Sequence, residues 1–315
     1  INENTTIALL NGAPKSSVAS FLGRLESVTG WKLKTATEAP ASNYISIFFG
    51  AKLSNEGYTL KVSDEHISIA AIDVGGANYA LETLAQLLPP KFESGKLQKE
   101  MQWEVPNIEI EDHPRFKWRG LMLDVSRHFF EKEYVIKTLD RMAMLKMNTL
   151  HLHLVDDQGW RIEIKKYPKL TEVGGFRVDH EDKSWNARPA QKEDEKATYG
   201  GFYTQEDIKE IVAHATKRGI TVVPEIEMPA HVSSAVAAYP EFSCLEKPIT
   251  VPSGGVWPIT DIYCAGKEST FEFLEDVLNE VMALFPSKYI HVGGDEATKT
   301  NWKTCPHCKK RIKTE

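Results

Sequence analysis

Cysteine is scarce in this chain: four residues among 315, too few for the disulfide-dense scaffold of a small secreted domain. Basic charge is not in excess either. The 38 Lys and Arg against 44 Asp and Glu leave a formal charge of −6 and a pI near 6.0, which argues against nucleic acid or an anionic membrane as the main partner. No apolar run is long enough to span a bilayer. An H-E-x-x-H zinc signature is missing, and Ser126 and Ser243 lack a nucleophile-elbow context, so acyl transfer is not expected. The sequence begins at Ile1 with neither methionine nor a signal-like apolar core; position 1 is expected to be a mature N-terminus or an imposed boundary. What is present is an ordinary globular composition, 42% hydrophobic and 26% charged, enough for one large domain or two smaller ones.

Cys244 and Cys264 bracket a Pro- and Gly-containing loop and could pair as a disulfide in an oxidising compartment. Cys305-Pro-His-Cys308 fits the C-x-x-C redox pattern but follows no thioredoxin-like strand–helix unit. As half of a zinc site it is expected to lack a second ligand pair within this chain. The expectation for Cys305 and Cys308 is a local disulfide or two free thiols, and cytoplasmic residence is not excluded.

Residues 1–112 read as a small α/β domain. Strands are expected at 7–10, 44–49, 57–62 and 66–72, and helices at 17–29 and 77–88; residues 103–114, rich in proline, are expected to be a linker. From residue 113 the texture becomes strand–helix alternation, with strands at 116–125, 149–155 and 219–226, helices at 131–145, 204–217 and 270–285, and a polar insertion at 173–199. The run KYIHVGGDE at 288–296 is expected to be a buried strand that breaks at Gly293-Gly294 and ends in Asp295 and Glu296.

Each expected strand ends in ionisable residues: Arg127 and His128; Asp156 and Asp157; Glu227 and His231; Asp295 and Glu296. One such pair is ordinarily a solvated loop or a helix cap. Four in succession at the C-terminal end of one parallel sheet are expected to converge on a mouth, where such folds place their sites. Carboxylates with His and Arg, and no nucleophilic Ser or Cys, suit general acid/base work on a neutral polar substrate. Trp118, Trp160, Trp185, Trp257 and Trp302 fit sugar stacking weakly and core packing better. No cofactor and no metal is expected from ligand spacing.

Several blocks resemble glycoside hydrolase family 20, the β-N-acetylhexosaminidases: LMLDVSRHF, NTLHLHLVDDQGWRIEI, GFYTQEDIKEIVAHATKRGITVVPEIEMPAH and HVGGDE. The resemblance implies a (β/α)8 TIM-type barrel over 113–315, of which about the first four strands are present, preceded by the family's small N-terminal domain at 1–112. It implies an exo-acting, retaining hydrolase that releases terminal GlcNAc or GalNAc by attack of the substrate's own acetamido oxygen, without a cofactor. By the same resemblance Glu296 is the general acid/base and Asp295 orients the acetamido group. Asp156 and His231 form a relay to Glu296, and Arg127 and His291 lie on the substrate-binding side. Glu296 must start protonated, so burial or a nearby carboxylate is expected around it. Expected partners are an oligosaccharide or glycoconjugate and the rest of the barrel or a dimer mate, in a secreted, periplasmic or lysosomal-type compartment. The rivals are a metal-dependent hydrolase and a non-catalytic carbohydrate-binding relative; the second has no need of a general acid.

Overall fold

The apolar run at 7–10 becomes the first strand of a mixed sheet. The computed structural model describes residues 1–314 and divides into two units. One holds Ile1–Gly120, Lys137–Thr149 and Ala213–Ile220; the other holds Leu121–Ile136, Leu150–Val212 and Thr221–Glu315.

In the first unit, β1 (Thr6–Leu10), β2 (Lys34–Ala36), β3 (Tyr44–Phe49), β4 (Tyr58–Val62), β5 (His66–Ala71) and β6 (Ile108–Asp112) form one sheet in the order β2-β1-β3-β5-β4-β6. β1 runs parallel to β2 and β3, and β3 to β5, whereas β4 is antiparallel to both β5 and β6. Helix α1 (Ala19–Thr29) buries Phe21, Leu25 and Val28. Helix α2 (Val74–Leu87) is capped by Asp73, whose carboxylate accepts the Gly76 N–H at 2.8 Å. Ile7, Ile45, Ile47, Leu60 and Ile69 from the sheet meet Leu25, Tyr79 and Leu84 from the helices in a single core. Each such side chain contributes roughly 1.5–3 kcal/mol by leaving water. The expected linker at 103–114 is in part a strand. Ile108–Asp112 pairs with β4 and sets Ile110 opposite Leu60, because I-E-I-E-D has the two-residue period of an edge strand despite the flanking prolines.

After the first domain, β7 (Gly120–Asp124), helix α3 (Lys132–Met144), β8 (Thr149–His153), helix α5 (Gln205–Lys217) and β13 (Thr221–Glu225) follow in turn, with sheet order β13-β8-β7; the strands belong almost wholly to the second unit, whereas Lys137–Met144 of α3 and Ala213–Lys217 of α5 are counted with the first. Between β8 and α5 lie β9 (Val155–Asp156) and β10 (Gly159–Trp160), then α4 (Lys169–Glu172), β11 (Phe176–Arg177) and β12 (Tyr199–Gly200). The polar insertion is thus pinned at both ends, β11 pairing antiparallel with β12. Helix α6 (Ser233–Ala238) and helix α7 (Glu268–Leu284) lead to the closing helices α8 (Thr300–Thr304) and α9 (Pro306–Thr314).

The expected buried strand at 289–292 reduces to one parallel bridge, Glu225 to His291. It is held by Ile226 N–H to His291 O at 3.0 Å and His291 N–H to Pro224 O at 2.9 Å. Tyr289 and Val292 are exposed. Among the described residues no strand lies on the far side of this segment, so its burial is partial, with Ile290 half-buried.

Candidate active site

Alternation along a strand sends every second side chain to one face, so T-L-H-L-H in β8 puts His151 and His153 together while Leu150 and Leu152 enter the core. The β9 segment and the turn that follow carry Asp156 and Asp157, both buried. A buried carboxylate is costly unless paired, and Asp156 is paired on two sides. Its Oδ2 lies 2.5 Å from Arg127 Nη2 and its Oδ1 lies 3.2 Å from His231 Nδ1. Arg127 also donates to Asp124 Oδ2 at 2.8 Å. Asp157 accepts from the Ser233 amide at 3.0 Å and the Ser233 hydroxyl at 2.6 Å, and its Oδ2 lies 3.3 Å from His231 Nδ1.

His231 joins this buried layer to the exposed one. Its Nε2 stands 3.3 Å from Glu296 Oε2 and 3.6 Å from Asp295 Oδ2, an ion-pair separation without hydrogen-bond alignment. Hydrogen bonds to Asp156 and then Asp157 raise the His231 pKa to about 11, outweighing its burial. The ring is therefore an imidazolium at neutral pH. Both His231 (φ 54°) and Glu296 (φ 49°) hold left-handed backbone conformations, costly for residues with side chains and frequent where a site imposes them. Arg127, Asp156, His231, Asp295 and Glu296 are thus brought into one continuous chain of contacts.

A second cluster lies beside it. Glu225 is 2.6 Å from both His151 Nε2 and His291 Nδ1, and 3.4 Å from His153 Nε2. Burial would raise the Glu225 pKa, but the His151 hydrogen bond and the charges of His153 and His291 hold it below the usual carboxylate range. Glu227, 3.2 Å from His153 Nε2, is instead pushed up by its burial and by neighbouring Glu225. His153 rises to about 10: burial opposes its charge, but bonds to Asp124 and Glu227 prevail. His291 therefore sits on Glu225, half exposed, rather than on the Arg127–Glu296 chain. The oxygen and nitrogen atoms of His151, Glu225 and His291, and of His153, Glu225 and Glu227, approach closely enough to hold a divalent cation. Most of those groups already pair with one another, although His153 Nδ1 and Glu227 Oε2 are buried without an aligned hydrogen-bond partner.

Some expectations are corrected. His128 turns away from the mouth, 2.6 Å from the Tyr199 hydroxyl. The burial expected around Glu296 is not found: its side chain is 53% exposed and that of Asp295 65%. Trp160 is core, whereas Trp118 and Trp257 are exposed. The missing second ligand pair for Cys305 and Cys308 exists, because folding brings Cys244 and Cys264 to them. Asp124, His151, His153 and Glu225 were not singled out from sequence, although the H-x-H alternation of β8 was a usable signal. Arg161 was also missed. Its guanidinium is fully buried, with Nη2 donating to Ser126 O at 2.6 Å, Nε to Val125 O at 3.1 Å and Nη1 to Gly201 O at 3.0 Å. It fixes the backbone next to Arg127.

Fold and site together define an α/β protein whose acids, imidazoles and one arginine gather at the C-terminal ends of barrel-type strands. The sequence matches the model for "Glycosyl hydrolase family 20, catalytic domain" over residues 116–315 and that for "Glycosyl hydrolase family 20, domain 2" over residues 1–113. A beta-hexosaminidase of Porphyromonas gingivalis is 45% identical over 99% of this chain and 39% of its own length. Among solved structures, the beta-N-acetylhexosaminidase of Bacteroides fragilis aligns with a TM-score of 0.82 at 37% identity, covering 99% of this chain and 56% of that one. The N-acetyl-beta-hexosaminidase of Streptomyces plicatus aligns with a TM-score of 0.84 at 35% identity, covering 99% and 59%. The chain belongs to glycoside hydrolase family 20, with an α/β fold and a TIM-barrel-like catalytic domain. It spans about two fifths of the length of the P. gingivalis relative.

Proposed function

We infer that the protein carrying this chain is an exo-β-N-acetylhexosaminidase that releases terminal GlcNAc or GalNAc with retention of configuration. The observation that carries this is the continuous chain Arg127–Asp156–His231–Asp295/Glu296, ending in two exposed carboxylates. The S. plicatus relative, in a variant form, has been captured with GlcNAc as product, and another relative is an N,N'-diacetylchitobiase of Vibrio harveyi.

In this proposal Glu296 protonates the departing glycosidic oxygen. The acetamido oxygen of the substrate then closes on the anomeric carbon, so no enzyme nucleophile is needed. Asp295, adjacent in sequence and pointing to a different atom of the sugar, orients the acetamido group and balances the positive charge of the oxazolinium ion. Glu296 then draws the proton from the water that opens the ring. His231, fixed by Asp156 and Asp157, holds both carboxylates in place, and Arg127 is poised to bind sugar hydroxyls.

The barrel-type sheet has three described strands, plus the bridge at His291, where a whole barrel has eight. The proposal therefore includes a first half-barrel completed by further polypeptide or a partner chain, in a secreted, periplasmic or lysosomal-type compartment. The test is chromophore release from an aryl N-acetyl-β-glucosaminide, with the plain β-glucoside as control, by the protein that carries this chain. Cleavage of the acetamido sugar alone is expected. Glu296→Gln should lower turnover by about 10²–10⁴-fold, and Asp295→Asn should lower it through lost charge. Equal cleavage of both sugars, or near-normal turnover in either variant, would overturn the mechanism.

A further inference from the structure

We propose that Cys244, Cys264, Cys305 and Cys308 form a structural zinc site that ties helices α8 and α9 to the 244–264 loop. The four thiols come from two separated parts of the chain. Even so, their sulfurs all lie within 4.8 Å of one another, and three of the four residues are buried. The separations are 3.6 Å for Cys264–Cys308, 3.7 Å for Cys244–Cys308 and 3.8 Å for Cys264–Cys305. In a tetrahedron with Zn–S bonds of about 2.3 Å, neighbouring sulfurs stand about 3.8 Å apart. A disulfide would bring two of them to about 2.05 Å. Tetrahedral sulfur ligation selects zinc or iron over harder cations, and a quartet this tight has room for one ion rather than a cluster.

Cys305 and Cys308 flank a tight Cys-Pro-His-Cys turn at the start of α9, and the Cys308 and His307 amides aim at the Cys305 sulfur. Gly266 presses on the same turn: a Cβ there would stand 2.2 Å from the Cys308 nitrogen. Lys267 braces the Cys244 loop by donating to Glu241 O at 2.6 Å and Ser243 O at 2.9 Å. The helix that carries Cys308 also carries Lys309, Lys310, Arg311 and Lys313, cations that offset the double negative charge of a tetrathiolate zinc.

The site has a structural reason to exist. Around the quartet the apolar packing is thin: among the described residues only Trp302 joins the cysteines. Trp302 also packs on Ala230, Ile259 and Ile262 and donates its indole N–H to Tyr263 O at 2.8 Å. A metal cross-link there replaces a core, just after the turn that bears Asp295 and Glu296. The quartet shares no residue with the Arg127–Glu296 chain, so it stands or falls independently of the glycosidase proposal.

The test is metal analysis of the intact protein, purified under reducing conditions without chelator. About one zinc per chain is expected, with all four thiols blocked to a thiol reagent until a mercurial releases the ion. Cys305→Ser/Cys308→Ser should lower zinc below about a tenth per chain, whereas Cys308→His should retain it. Protein grown with cobalt should show the intense visible bands of a tetrahedral tetrathiolate, a readout that needs no variant to fold. Four freely titrating thiols without metal, disulfides detected by mass, or iron in place of zinc would each overturn the proposal.

Discussion

Replacing Gly293 with alanine probes how the Asp295–Glu296 turn is fitted onto the carboxylates beneath it. Gly293 has φ +62°, and a Cβ there would stand 1.5 Å from Glu227 Oε2 and 2.3 Å from its carboxyl carbon. The carboxyl must therefore retreat by about 2 Å to restore ordinary contact. Alanine in a left-handed conformation costs about 1–2 kcal/mol. Pulling Glu227 from His153 Nε2, now 3.2 Å away, forfeits a charge-assisted hydrogen bond worth about 1.5–3 kcal/mol. The sum, about 2.5–5 kcal/mol, is large beside a domain stability of about 5–15 kcal/mol. Urea unfolding of the wild type, Gly293→Ala, Glu227→Ala and the double variant closes a cycle. With Glu227 already truncated only the backbone cost should remain, so the coupling energy should be about 1.5–3 kcal/mol. Additivity within about 0.5 kcal/mol would refute the fit deduced between Gly293 and Glu227.

Arg161→Gln should destabilise the protein by on the order of 3–5 kcal/mol, because it strands buried carbonyls of Val125, Ser126 and Gly201. A loss under about 1 kcal/mol in urea unfolding would show that they find other donors. His231 binds its proton more tightly folded, at about 11, than unfolded, at about 6.5. Its stabilisation is therefore fully present below about pH 6.5 and declines as pH rises towards the folded value, by at most about 1.4 kcal/mol per pH unit. His231→Gln should flatten the fall in unfolding free energy between about pH 7 and about pH 9; parallel curves would contradict the assignment.

Much of the site was legible because its residues follow strands, and strands announce themselves by apolar runs. Arg127, Asp156, His231, Asp295 and Glu296 all lie just past such runs, and the fold joins them. His128, one place beyond Arg127, looked equivalent in sequence. Only the path of the insertion, which brings Tyr199 to it, decides otherwise. The cysteines show the opposite limit. Spacing can reveal a pair such as Cys305 and Cys308, but not that residues 41 and 64 positions away will meet it. The strand at 108–112 was masked by prolines that break local patterns without preventing long-range pairing with β4. Buried groups such as Arg161 and His153 are invisible in composition, since their value lies wholly in the partners that folding supplies.

Exposure across the second unit's sheet runs in an order that bears on the half-barrel proposal. The inner strands β8 and β13 are almost wholly buried, whereas Leu121 and Met122 on β7 are exposed, as are Tyr289 and Val292 beside the bridge at His291. These are the two outermost members of the sheet. In a parallel sheet both faces are normally covered, so neighbouring apolar residues on one strand, such as Leu121 and Met122, gain burial only when the sheet continues. Closing a barrel would add strands at both of these edges at once. The same closure would put walls around Asp295 and Glu296, which stand more than half exposed. Walls of that kind would exclude water and raise the worth of every charge interaction within. The exposure of the two carboxylates and that of the sheet edges therefore have one common explanation, whereas a solvated acidic loop on a finished surface would account for the first and not the second.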